Sequence, residues 1–198
     1  MHEEIAIGGL GGQGVLFVGR ILAEATLQEG HEVVYMPSCG VEERGGTVWC
    51  NVTISDEKID ALFISRPTVA IAMSPAFLVK FEPAMKPEGL LVVNQSLIQS
   101  RGTREDISVV YVPANDLAME LGDDSVGSLV ALGALLVNRP VVSISSIMAT
   151  MDSMYSQNQE CLEMNKRALN QGYTWAQKRL SIRPAVEGRG QPCLTIKR

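Results

Sequence analysis

The chain has 198 residues, the length of one ordinary domain, and its 46% hydrophobic and 20% charged residues can build a packed core. A net charge of −5 and a pI near 5.1 argue against non-specific nucleic-acid binding, which needs a basic face to displace phosphate counterions. No apolar run reaches the ~18 residues of a membrane span, and Met1-His2-Glu3-Glu4 lacks the basic start of a signal peptide, so a cytoplasmic location is expected.

Ile5 to Gly8 reads as a short buried strand running into glycine. From Gln13 to Glu29 the period becomes helical: Val15, Leu16, Val18, Ile21, Leu22, Ala25 and Thr26 share one stripe, with Arg20, Glu24 and Gln28 opposite. Gly30 ends that helix, His31 opens the next element, and Glu32 to Met36 is a second strand. Strand, glycine turn, helix and strand within 40 residues form a βαβ unit, so the sheet is expected to begin parallel. After a polar, glycine-rich loop at 37–46, Thr47 to Ser55 alternates with period two and reads as a half-exposed strand. Thr68 to Met73 and Leu90 to Val93 are solidly apolar, as buried parallel strands are.

Ser74 to Met85 is predicted helical, with Pro75 in its first turn. Ile107 to Val112 is a further strand, and Pro113 to Leu121 begins another helix. Val126 to Val137 is small and apolar almost all round, which marks a helix buried on most sides. Helices follow at Ser143 to Met154 and Asn158 to Lys178, the last with an expected interruption near Gly172. The Pro-, Gly- and Arg-rich 183–198 reads as an extended tail. The sequence thus predicts one α/β domain over 1–182, a Rossmann-like three-layer fold with a mainly parallel sheet and a helical C-terminal part.

The strongest chemical signal is Gly8-Gly9-Leu10-Gly11-Gly12-Gln13-Gly14, in which Gly9, Gly11 and Gly14 satisfy G-x-G-x-x-G between a strand and a helix. Such a turn brings backbone N–H groups and a helix N-terminus to an anion; the competing reading is a tight crossing that uses glycine only for packing. A dinucleotide site would add an acid at the end of the second strand, ~20 residues on, to hold a ribose. Here that strand ends Tyr35-Met36-Pro37-Ser38, so the motif points to an anion more than to NAD. The second signal is Glu42-Glu43-Arg44-Gly45-Gly46, a loop leaving the carboxyl edge of the same unit, where open α/β sheets bind ligands. Arg44 could take a phosphate or a partner's carboxylate, with an acidic neighbour holding it in place; a solvated turn is the plainer alternative. Cys39, Cys50, Cys161 and Cys193 stand alone without C-x-x-C spacing, so no metal or Fe–S site is expected and the thiols read as free.

These motifs, in order, resemble the gamma subunit of 2-oxoacid:ferredoxin oxidoreductases. The family pattern G-x-G-G-Q-G followed by E-x-R-G-G is matched here with Glu42 as its glutamate and Glu43 as the variable position. The likeness continues through Thr53-Ile54-Ser55, Lys86-Pro87-Glu88-Gly89, Val112-Pro113-Ala114, Leu132-Gly133-Ala134 and 165–172, covering about residues 3 to 175. Two places depart from it. Ser125-Val126-Gly127-Ser128 stands where the family often has Asn before the Leu-Gly-Ala helix, and Ser38 and Cys39 stand where an aromatic is common.

The resemblance implies a non-catalytic subunit of a complex that oxidatively decarboxylates a 2-oxoacid to acyl-CoA and reduces ferredoxin. Thiamine diphosphate, Mg and the Fe–S clusters would lie on partner chains: an alpha, a beta and a ferredoxin-like delta subunit. It assigns this chain no catalytic residue. Coenzyme A is the implied shared ligand, with Gly9, Gly11, Gly12, Gln13, Gly14, Glu42, Arg44, Gly45 and Gly46 contacting its phosphates or the subunit interface. Self-association of the isolated chain is expected. The indolepyruvate oxidoreductase beta subunit shares these motifs, so the 2-oxoacid stays open. The rival readings are a free-standing Rossmann-type nucleotide- or anion-binding protein and, behind it, an independent NAD oxidoreductase.

Overall fold

A computed structural model describes residues 1–39, 46–154 and 158–182; the 183–198 tail and most of the Glu42–Gly46 loop lie outside them. The strands are β1 (His2–Leu10), β2 (Glu32–Cys39), β3 (Thr47–Ser55), β4 (Val69–Ala72), β5 (Leu90–Asn94) and β6 (Ser108–Val112). The helices are α1 (Val15–Gln28), α2 (Pro75–Phe81), α3 (Ala114–Glu120), α4 (Gly127–Asn138), α5 (Ile144–Met154) and α6 (Gln159–Ile182). They form one six-stranded sheet in the order β2-β3-β1-β4-β5-β6. Neighbours from β1 through β4 and β5 to β6 are parallel, while β3 runs antiparallel to both β1 and β2. The mainly parallel sheet is as expected.

The expected start of the sheet needs correction. β1 and β2 point the same way, but β3 lies between them and pairs with both. Inside the sheet, β3 is also better covered than its alternation suggests: Thr53 is 3% exposed and Ser55 4%.

The strands alternate large and small side chains between two unequal faces. Ile5, Ile7, Val69, Ile71, Leu90 and Val92 meet residues of α1, α3, α4, α5 and α6 in the main core. Ala6, Ala70 and Ala72 point the other way, beneath Phe77, Leu78 and Phe81 of α2. Small residues there let α2 come close: a Cβ on Gly8 would stand 1.9 Å from the Phe77 ring. Ser74 caps α2, accepting from the Phe77 N–H at 3.4 Å. α2 stops short of Met85, giving way to a 3-10 turn at Glu82–Ala84, because Pro83 has no N–H to continue the ladder.

α4 is buried from Gly127 to Leu136, as its apolar circumference predicts. The interruption expected near Gly172 does not occur; α6 runs unbroken through it. The glycine serves close approach instead. A Cβ on Gly172 would lie 1.9 Å from the Val130 carbonyl oxygen of α4, and one on Gly133 of α4 would lie 2.2 Å from that of Leu169. No helix among the described residues is long and apolar enough to cross a membrane.

Candidate functional site

β1 leads into α1 on the main-core face, and β4 leads into α2 on the other. The crevice beyond the carboxyl ends of β1 and β4 is therefore the switch point of the sheet, where open α/β folds take ligands. The glycine turn closes one side of it. Gly12 (φ 94°) and Gly14 (φ 71°) are both left-handed, a conformation that a side chain would strain, and Gly14 is the N-cap of α1. α1 has no side-chain cap and no acidic residue in its first turn, so its N-terminal partial charge stays uncompensated from within.

The predicted residues divide by role. Gly9 belongs to β1, and a Cβ there would meet the Gln13 Oε1 at 2.3 Å and the Met73 Cβ at 2.8 Å, so it serves packing. Gln13 braces the turn: its Oε1 accepts from the Leu10 N–H at 2.7 Å, and its Nε2 donates to the Met73 carbonyl at 3.3 Å. That amide ties the ends of β1 and β4 together. Gly11 and Gly12 remain as the exposed backbone of the turn, with Gly14 half-buried. Gly46 is brought beside them, since the Gly11 N–H donates to its carbonyl at 3.2 Å and Leu10 pairs with Thr47. Glu42, Arg44 and Gly45 lie outside the described residues, yet the antiparallel β3 sets the exit of their loop against the glycine turn.

A cleft of about 300 Å³ opens here, lined by Gly12, Gln13, Met73, Leu97, Asn115, Asp124, Ser125 and Ser128. Sequence reasoning missed the last six. They come from the ends of β4, β5 and β6 and from the segment leading into α4, far apart along the chain. The departure noted at Ser125 to Ser128 was the one signal that pointed there. An amide relay shapes this wall: Asn94 Nδ2 donates to Asn115 Oδ1 at 2.7 Å, and Asn115 Nδ2 donates to the Asp124 carbonyl at 3.2 Å. Asp123 caps the turn before α4 by accepting from the Ser125 N–H at 2.9 Å. Hydrogen bonds from the Ser125 side chain and backbone hold the Asp123 carboxyl below the usual range. α4 itself, like α1, has no side-chain cap and no acidic residue in its first turn.

Cys50 offers no reactive centre to this site. Cys50 is fully buried under α1, with Sγ 3.6 Å from the Val15 carbonyl, and burial pushes its thiol up to about 12.

A doubly flanked, mainly parallel sheet with an uncapped helix N-terminus over its switch-point cleft defines the chain as a Rossmann-like α/β domain. The chain belongs to the pyruvate ferredoxin/flavodoxin oxidoreductase family, whose model matches residues 4–175. The 2-oxoglutarate synthase subunit KorC of Methanocaldococcus jannaschii is 32% identical over 182 residues, covering 90% of this chain and 96% of KorC. The keto/oxoacid ferredoxin oxidoreductase gamma subunit of Geobacter sulfurreducens superposes with a TM-score of 0.76 at 27% identity, covering 89% of this chain and 99% of that one. The 2-oxoglutarate:ferredoxin oxidoreductase of Magnetococcus marinus, solved with 2-oxoglutarate, coenzyme A and succinyl-CoA bound, shares the fold at TM-score 0.82 and 22% identity, over 89% of this chain and 31% of that one. Some curated relatives are longer: the chain spans 37% of the ketoisovalerate oxidoreductase subunit VorA of Methanothermobacter marburgensis, with 29% identity.

Proposed function

We propose that the chain is the gamma subunit of a 2-oxoacid:ferredoxin oxidoreductase and helps to form its coenzyme A site, with no catalytic group of its own. One observation carries this reading. The Gly11 N–H donates to the carbonyl of Gly46, the last residue of the E-x-R-G-G motif, which therefore lies beside the uncapped N-terminus of α1, where a helix dipole favours an anion. The residues suit a phosphate: exposed backbone at Gly11 and Gly12, no first-turn acid, and Arg44 two residues before Gly46 in the sequence. Coenzyme A supplies the acyl acceptor, and what this chain contributes is its grip on the phosphates. Thiamine diphosphate, magnesium and the clusters belong to the partner alpha, beta and delta chains, since four isolated cysteines provide no cluster spacing here. A cytoplasmic complex fits the redox partner, ferredoxin.

Arg44→Ala in the assembled complex tests this. Loss of one charge-assisted phosphate contact, ~1.5–3 kcal/mol, raises the apparent KM for coenzyme A about ten- to a hundredfold with assembly unchanged. Weakened assembly with a flat coenzyme A dependence would move Arg44 to the subunit interface. A wild-type result in both assays would reduce the loop to a solvated turn.

A further inference from the structure

A second concavity, a groove of about 730 Å³, lies between the last turns of α4 and α6. Leu136, Val137 and Pro140 form one bank, and Tyr173, Leu180 and Ser181 the other. It shares no lining residue with the cleft at the glycine turn. Much of its surface is apolar and open: Leu180 is 41% exposed, and Val137 and Tyr173 are only half-buried.

α6 ends at Ile182, one residue past the groove. The cause is local, since Pro184 has no N–H and disfavours helical backbone at the residue before it. Residues 183–198 follow, outside the described residues. In sequence they open with the apolar Pro184-Ala185-Val186, and Gly188-Arg189-Gly190 comes next, where glycine permits a turn. Arg183, Arg189, Lys197 and Arg198 against Glu187 give this segment a charge of +3, so with −5 for the whole chain residues 1–182 carry −8. A basic segment tethered to an acidic body is drawn back onto it. Lys178 also lines the groove, so the basic residues suit it poorly and the neutral Pro184 to Val186 suits it best. The lengths agree as well. From Ile182 back to Tyr173 the helix covers about 14 Å at ~1.5 Å per residue, and an extended 183–186 spans up to about 14 Å.

We propose that the groove is the seat of this chain's own Pro184-Ala185-Val186, which folds back from the end of α6 and lays Val186 against Val137 and Tyr173. Apolar residues just beyond a helix commonly pack onto its last turn in this way. The tether decides the occupant: a segment this close is present at an effective concentration of about a millimolar, which a second copy or a partner chain would have to outcompete. The family model stops at residue 175, so the last turns of α6 and the segment that would cover the groove both lie beyond the shared domain. The inference is independent of the coenzyme A reading.

The test is nuclear Overhauser spectroscopy on the full chain with 13C-labelled methyl groups. The Val186 methyls are expected to show contacts with those of Val137 and with the Tyr173 ring. In a mixture of labelled and unlabelled chains these contacts are expected within one chain. Contacts only between chains would give the groove to a second copy and overturn the proposal. Val186→Asp is expected to abolish them and to lower Tm by about 2–4 °C, the effect of losing roughly one buried aliphatic side chain, whereas Val186→Ile keeps both. A Val186 with no contact to the groove, or a Tm unmoved by Val186→Asp, would overturn it too. So would loss of the contacts when partner subunits bind, which would make the groove a subunit interface.

Discussion

Gln13 shows how a residue inside a ligand motif can act on the protein instead. Its amide links the Leu10 N–H to the Met73 carbonyl, which fixes the glycine turn against the end of β4. Cys50 shows the converse, a polar-looking residue that is pure core. It packs so tightly under α1 that a Cβ on Gly19 would lie 2.3 Å from its Sγ. With its thiol pushed up to about 12 by burial, almost no thiolate exists near neutral pH, and the thiolate is the reactive form. Iodoacetamide at pH 8 should therefore leave Cys50 unmodified in the native protein while alkylating the half-buried Cys161. Mass spectrometry of the peptides reads the outcome, and modification of Cys50 under native conditions would contradict its burial.

Among the elements, the contact of α4 with α6 is set by backbone proximity. Gly172→Ala would raise intrinsic helix propensity by about 1 kcal/mol. Its new methyl group, however, would lie 1.9 Å from the Val130 carbonyl oxygen, backbone that cannot swing aside. Overpacking of this kind costs about 1–3 kcal/mol, and a clash with backbone belongs at the upper end, so packing outweighs propensity. The expected result is a net loss of about 2 kcal/mol and a fall in Tm of roughly 4–8 °C by thermal denaturation. An unchanged or higher Tm would show that the helices can separate without loss. Helical period located α1 and α4 within one or two residues, since each has a distinct apolar face or circumference. The same reasoning misjudged Gly172, because a glycine that breaks a helix and a glycine that lets two helices touch are identical within their own segment.

At the scale of the molecule, the placement of β3 decides what the cleft can hold. In a dinucleotide fold the second strand lies beside the first, and its terminal carboxylate reaches the ribose. Here β3 separates β2 from β1, and β2 ends without an acid, so both the position and the group are missing. NADH should accordingly show no micromolar binding by calorimetric titration at neutral pH; a dissociation constant in that range would reverse the ranking of ligands. The insertion also puts the start of β3 at the carboxyl end of β1, as the Leu10–Thr47 pairing requires. Gly46, the last residue of the second motif, therefore lies beside the glycine turn some 30 residues earlier in the chain.

By itself the sequence determined the elements and the class: buried apolar strands, an amphipathic α1, an all-round apolar α4, and a glycine turn opening a helix. These follow from local periodicity and backbone conformation, which neighbouring residues carry. Only the tertiary structure decided that β3 enters between β1 and β2, since strand order depends on hydrogen-bond partners distant in the chain. It also decided the far wall of the cleft. Asn115, Asp124, Ser125 and Ser128 share no spacing that marks them as a set, and they become one surface only when the starts of α3 and α4 converge at the switch point, with buried Asn94 of β5 bonded behind Asn115.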